Sequence, residues 1–237
     1  MGKQVELTLS VPTTLGDITL GQYQRYMKLV EQNKDDESAT DFLNMKLIEI
    51  FCNVELKDVM RIPVSEVEKV LAILGKAFEE RPEIIRHFKL LNVDMGFIPN
   101  LERISLGEYI DAEDNISEWE TMHKAMAVLY RPVNFKSKER YSIAPYDPSD
   151  EISELMKEMP LSVAMSAMVF FYDLAKELLR AIPSYIQKSL TEEQTYLLKQ
   201  TLAQNGDGIS QYMDSLKEMS FGSMPSQKAN YSNASTT

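Results

Sequence analysis

Few side chains in this sequence are of a type that does chemistry. The only histidines are His87 and His123, and the only cysteine is Cys52. Neither histidine has a second histidine or a cysteine at the spacing a zinc site needs, and one thiol forms no internal disulfide. No G-x-S-x-G turn, Walker loop or dinucleotide fingerprint occurs. Gly206-Asp207-Gly208 reads as the beginning of a tail rather than a phosphate cradle. The two histidines therefore read as solvated or hydrogen-bonded structural groups. Acidic residues run from Glu108 to Glu120 through Asp111, Glu113, Asp114 and Glu118, with no basic residue between them. The spacing and central glycine of an EF-hand are missing. Most of these acids fall in first turns of helices, where the helix dipole favours them. They read as a solvated surface at helix starts, with a docking surface for a basic partner as the alternative. The expectation is a non-enzymatic protein with no catalytic residue, metal or cofactor.

Methionine is the unusual residue. There are 14, and Met156, Met159, Met165 and Met168 crowd one region. Methionine is flexible and polarisable, which suits adaptable binding surfaces and also gap-filling in cores. Met165 and Met168 fit a helical core. Met156 and Met159 lie beside Pro160 at a helix junction, where either use is open. Asp150, Glu151, Glu154 and Glu158 lie with them. These four acids, Met156 and Met159 form the candidate partner-binding set: apolar side chains for affinity, acids to steer a basic or amphipathic helix.

The elements that would position these residues are mostly helical. Alternation of Val5, Leu7, Leu9 and Val11 predicts a half-buried strand ended by Pro12. Thr19 and Gln22 form a capping box, with Ile18 and Tyr23 as its staple, opening a helix over 20–32. Further helices are predicted over 40–53, from a capping box at Ser65 and Glu68 to about 80, and from a box at Ser117 and Glu120 through Tyr130. Residues 55–61 read as a short helix or turn. Between 83 and 99 the pattern changes to two short strands turning at Leu91-Asn92, and the N-terminal strand is expected to pair with that hairpin. A strand over 140–144, a short acidic helix over 150–158 and a long apolar helix from Leu161 to about 182 follow. A last helix runs from Thr191 to about 204.

One pattern recurs. PTTLGDITLGQY at 12–23 and PNLERISLGEY at 99–109 share Ile-(Thr/Ser)-Leu-Gly-(Gln/Glu)-Tyr. Convergent helix-start chemistry is one explanation, and two related halves is the other. The fold class expected is mainly α with a minor β element, an α+β helical core with a small antiparallel sheet. Residues 1–204 form one domain, undivided or built of halves 1–98 and 99–204, and 205–237 form a flexible serine-rich tail.

Composition narrows the partner. The 237 residues are 44% hydrophobic and 26% charged, as in a globular protein. A net charge of −11 disfavours nucleic acid. The longest apolar stretch, 161–171, is too short to span a bilayer. MGKQVE begins like a myristoylation signal but has Glu6 where Ser or Thr is needed. The N-terminus lacks a signal peptide's apolar core, so a cytoplasmic protein is expected.

PTTLGDITLGQYQRY, GFIPNLERISLGEYID, HKAMAVLYRPV and MSAMVFFYDLAKELL resemble segments of an uncharacterised group of long-tailed bacteriophage proteins. These are patterns of helix start and packing rather than catalytic signatures. The resemblance implies a virion-assembly protein, most of all a tail assembly chaperone. Such a chaperone is acidic, helical and non-enzymatic, and holds the tape-measure protein in the host cytoplasm before the tail polymerises. A structural virion component, such as a connector, baseplate or internal protein, is the alternative. The resemblance carries no binding residues with it.

Overall fold

The computed structural model of the chain describes residues 9–138 and 140–171. Within them the fold is mainly helical with a four-stranded antiparallel sheet. The helices are α1 (Leu20–Gln32), α2 (Thr40–Phe51), α3 (Leu56–Val59), α4 (Val64–Ala77), α5 (Leu106–Ile116), α6 (Met122–Leu129) and α7 (Asp150–Leu155). A further helix, α8, starts at 161 and continues to 171. The strands are β1 (His87–Leu90), β2 (Val93–Phe97), β3 (Tyr130–Ser137) and β4 (Arg140–Ile143), paired in that order.

The helix starts follow local chemistry. At α1, Thr19 Oγ accepts from the Gln22 N–H (3.1 Å) and Gln22 Oε1 accepts from the Thr19 N–H (2.9 Å). At α5, Ser105 Oγ accepts from the Glu108 N–H (3.3 Å) and Glu108 Oε2 accepts from the Ser105 N–H (2.7 Å). Each box satisfies donors that a helix start leaves unpaired. The other two boxes expected from sequence do not form. Pro63 occupies the cap of α4, its carbonyl accepting from Glu66 and Val67 (2.9 and 3.0 Å), which places Ser65 inside the helix. Ser117 is taken as the C-cap of α5, and α6 starts only at Met122, after Trp119.

The β1–β2 hairpin turns at Leu91-Asn92, both with positive φ (48° and 70°), the pairing of a type I′ turn. Its partner among the described residues is β3, with Met95 opposite Pro132 and Phe97 opposite Tyr130. Residues 130–132, expected as a helix end, are therefore strand. Pro132 has no N–H to donate, and it sits where β3 leaves β2 and takes up β4; its carbonyl accepts from Ala144 (2.8 Å). The β3–β4 ribbon folds over β2 at Gly96, where an added Cβ would stand 3.0 Å from both Tyr141 and Val133. Of the N-terminal strand, 5–8 lie outside the described residues, and 9–11 form no strand but pack Leu9 and Val11 against the core. The expected helix over 191–204, the end of α8 and the 205–237 tail also lie outside.

The core joins the helices to the sheet through aromatic contacts. Tyr23 meets Trp119 edge-on at 4.6 Å, Tyr26 meets Phe51 at 5.4 Å, and Phe97 meets Tyr130 at 5.2 Å and Phe170 of α8 at 5.7 Å. Met165 and Met168 are buried in it. No described helix is long and apolar enough to cross a membrane.

Candidate protein-docking site

The sequence-derived set divides on its polarity. Asp150, Glu151 and Glu154 lie on α7, which Ser149 caps by accepting from the Ile152 N–H (3.4 Å). These acids and Glu158 are exposed, and Glu154 pairs with Lys157 at 2.7 Å. Met156 and Met159 are not surface: both are 0% exposed. The reason is the single 3₁₀ turn Met156–Glu158, which the chain lays across the start of α1. The Leu20 N–H donates to the Met159 carbonyl (2.9 Å) and the Leu161 N–H donates to the Ile18 carbonyl (2.8 Å). Thr19 and Pro160 form an antiparallel bridge. Gly21 is needed beneath this turn, because a Cβ there would stand 3.0 Å from Lys157 Cβ and 3.1 Å from its carbonyl oxygen. A partner cannot reach these methionines without removing that turn.

The recurring motif shows where apolar surface does lie. Its two copies build the same capped helix start but meet opposite surroundings. In the first copy Leu20 is 0% and Tyr23 3% exposed; in the second, Leu106 is 75% and Tyr109 51% exposed. Ile110, one turn on from Leu106, is 45% exposed. Positions 106, 109 and 110 have i, i+3, i+4 spacing and so share one face of α5. Among the described residues, a Cβ on Gly107 would meet nothing within 4 Å. Exposed Glu113 and Asp114, at i+4 from Tyr109 and Ile110, border this face. Sequence reasoning missed these three apolar residues as a site. The available signal was their helical spacing inside the acidic run.

Not all of that acidic run faces solvent. Glu108 is buried and pairs with Arg131 on β3 at 2.8 Å. Burial pushes its carboxyl up, but the Ser105 hydrogen bonds and the Arg131 charge outweigh this and hold it below the ordinary value. Asp111 accepts from the Tyr146 hydroxyl. Together they tie α5 to the sheet and to the segment after β4, so its apolar face is presented on a fixed helix. The Tyr109 hydroxyl bonds Glu113, which raises the phenol above its ordinary value.

His123 is a buried structural group. Its Nδ1 lies 3.0 Å from Gln24 Nε2, which also donates to the Trp119 carbonyl (2.6 Å). With Gln24 donating, Nδ1 is the acceptor and the ring proton sits on Nε2, 3.3 Å from Glu154 without hydrogen-bond alignment. Burial lowers its pKa, Lys157 and Lys124 lower it further, and Glu154 opposes them. Among the described residues no three His, Cys, Asp or Glu side chains are grouped to hold a metal ion.

A second concave feature lies where β3 splays from β2. This open cleft of about 400 Å³ is lined by His87, Phe88, Lys89, Asp94, Phe135 and Lys136 among others. Its mixed charges and open shape favour no one ligand over the α5 face. The chain matches no family model, no curated protein and no solved structure.

Proposed function

We propose that this chain is a non-enzymatic protein-binding factor of bacteriophage morphogenesis, a tail assembly chaperone that holds the tape-measure protein through the exposed face of α5. One observation supports the docking surface above others. Among the described residues, the Leu-Gly-x-Tyr motif is covered by chain at α1 and left open at α5, although both helix starts have the same caps. An apolar stripe of this kind on a rigid helix suits the apolar face of a partner helix. The bordering acids add electrostatic attraction for a partner carrying Lys or Arg, and the net charge of −11 keeps a complex with an apolar partner in solution. The phage assignment rests on the sequence resemblance, the docking surface on the α5 geometry.

The test is co-purification of the full chain with the tape-measure protein, using parent and the double variant Leu106→Ser, Tyr109→Ser. Both side chains are exposed, so the variant should melt as the parent does. Apolar burial of about 1–2 kcal/mol per side chain predicts affinity loss of at least about tenfold. Unchanged binding with a normal melt removes α5 as the site. Retention of the protein at fixed copy number in purified particles replaces the chaperone reading with that of a structural virion component.

A further inference from the structure

Charge in this chain is sorted along the sequence. Residues 106–120, α5 and the turn after it, hold six acids and no basic residue. The strands around the cleft, 86–94 and 134–143, hold Arg86, Lys89, Lys136, Lys138 and Arg140 against only Asp94 and Glu139, a basic region in a chain of net charge −11. The fold makes a groove of that region. Phe88, Leu90 and Met95 pack toward the core, so His87, Lys89 and Asp94 alternate onto the outer face of the β1–β2 hairpin. The β3–β4 ribbon crosses this face at Gly96, against Tyr141 and Val133, and then splays. The cleft opens between Lys89 and Asp94 on one side and Phe135 and Lys136 on the other. Phe135 is 61% exposed, an apolar side chain within a basic rim. The Lys89–Asp94 pair, at 3.9 Å with both side chains about 70% exposed, is too solvated to hold Lys89 from another acid. Burial and the charges of Lys136 and Arg86 hold His87 below its ordinary value, so the positive charge here is that of the lysines and arginines.

We propose that this cleft takes the α5 face of a second copy of the chain, with Leu106, Tyr109 and Ile110 laid against Phe135, and Glu113 and Asp114 against Lys89 and Lys136. The two surfaces are complementary in pattern: apolar centre with acidic border on α5, apolar centre with basic border at the cleft. Their lengths match, since an eleven-residue helix is about 16 Å long and the five residues of β2 span about the same. They do not meet within one chain. Glu108 on Arg131 and Asp111 on Tyr146 hold α5 at the start of β3, and Phe135 lies about 13 Å further along that strand. Among the described residues neither surface is covered. The contact joins unlike surfaces, so each copy offers one α5 face and one cleft. Apolar burial supplies affinity and the charges set register. A tape-measure helix on α5 would compete with the second copy. The inference rests on α5 being a docking face, but not on the partner proposed above, and its test contains no tape-measure protein.

Complementation between two blocked variants tests it, read by sedimentation velocity on the full chain over a concentration series. One variant blocks α5 (Leu106→Ser, Tyr109→Ser), and the other blocks the cleft (Phe135→Ser, Lys136→Glu). All four side chains are exposed, and thermal melts check that both variants fold; Lys136→Glu alone replaces the second if its melt is lowered. The parent should self-associate, and each variant alone should do so at least about tenfold more weakly. Mixed, the two should form a one-to-one pair, because the α5 of the cleft variant is intact and so is the cleft of the α5 variant. A parent that stays monomeric up to about 1 mM overturns the proposal. So does a cleft variant that associates like the parent, which would mean that α5 packs on another surface, and so does a mixture of folded variants that stays monomeric. The cleft variant should still bind the tape-measure protein, so loss of self-association and loss of that partner are read separately.

Discussion

The clearest perturbation is Glu108→Gln. Glu108 closes the α5 capping box through Oε2 and faces Arg131 through Oε1 at 2.8 Å, and both side chains are 11% exposed. Glutamine keeps an acceptor for the Ser105 N–H, so the cap survives and the charge pair alone is removed. Two unit charges at this distance attract by roughly 6 kcal/mol at an effective dielectric constant of about 20. Much of that offsets desolvation, but the desolvation of Arg131 remains once its partner is neutral. Arg131 Nε already has no hydrogen-bond partner among the described residues. Breaking a buried pair on one side costs about 3–5 kcal/mol, and the residual exposure places this one near the lower end, at about 3 kcal/mol.

Urea denaturation measures it. The single variant should lose about 3 kcal/mol, while Glu108→Gln with Arg131→Met, which removes the stranded cation, should lose only about 1 kcal/mol. A single loss below about 1 kcal/mol, or a double variant weaker than the single, would refute the buried-pair argument. The pH dependence has a fixed sign. The folded carboxyl is held below its ordinary 4.5, so its contribution is complete above that pH and is lost as pH falls through the folded value. The gap between parent and Glu108→Gln should therefore close in acid.

Two further outcomes follow from single residues. Leu91 holds φ 48° at the hairpin turn and is 64% exposed; Leu91→Asn should stabilise by about 0.5–1 kcal/mol, and a lowered denaturation midpoint would show that Leu91 packs. His123 is held below 6.5 chiefly by burial. Its contribution is complete above 6.5 and is lost as pH falls through the folded value, so stability should decline through mildly acid pH and His123→Gln should flatten that decline. His87 is lowered as well, so the titrations must be resolved by residue with NMR, and a His123 midpoint at or above 6.5 would contradict the buried Gln24 contact.

What was legible in the sequence was local. The starts of α1 and α5 follow from Thr19, Gln22, Ser105 and Glu108, whose partners are three residues away. The hairpin turn follows from the break at Leu91-Asn92 between two strand-like runs. Failures came where two local readings competed and a distant partner decided. Ser117 suits an N-cap and is a C-cap, because α5 runs up to it. Tyr130-Arg131-Pro132 looks like a helix stop and is also strand, because β2 lies beside it to be paired. Periodicity cannot supply that information, since it registers which residues share a face and not what lies opposite.

The methionines show the same limit in the candidate site. Met156 and Met159 have the composition of a docking surface because their segment is a docked ligand, bound to α1 in its own chain. Local sequence distinguishes neither the two sides of a contact nor an internal from an external one. The repeat does carry that distinction once the fold is known. Two equal helix starts with unequal cover show that Leu106 and Tyr109 are not exposed by the motif itself, since Leu20 and Tyr23 in the same motif are buried. Their exposure arises from what the described chain leaves uncovered, and the question of function becomes the question of what covers them.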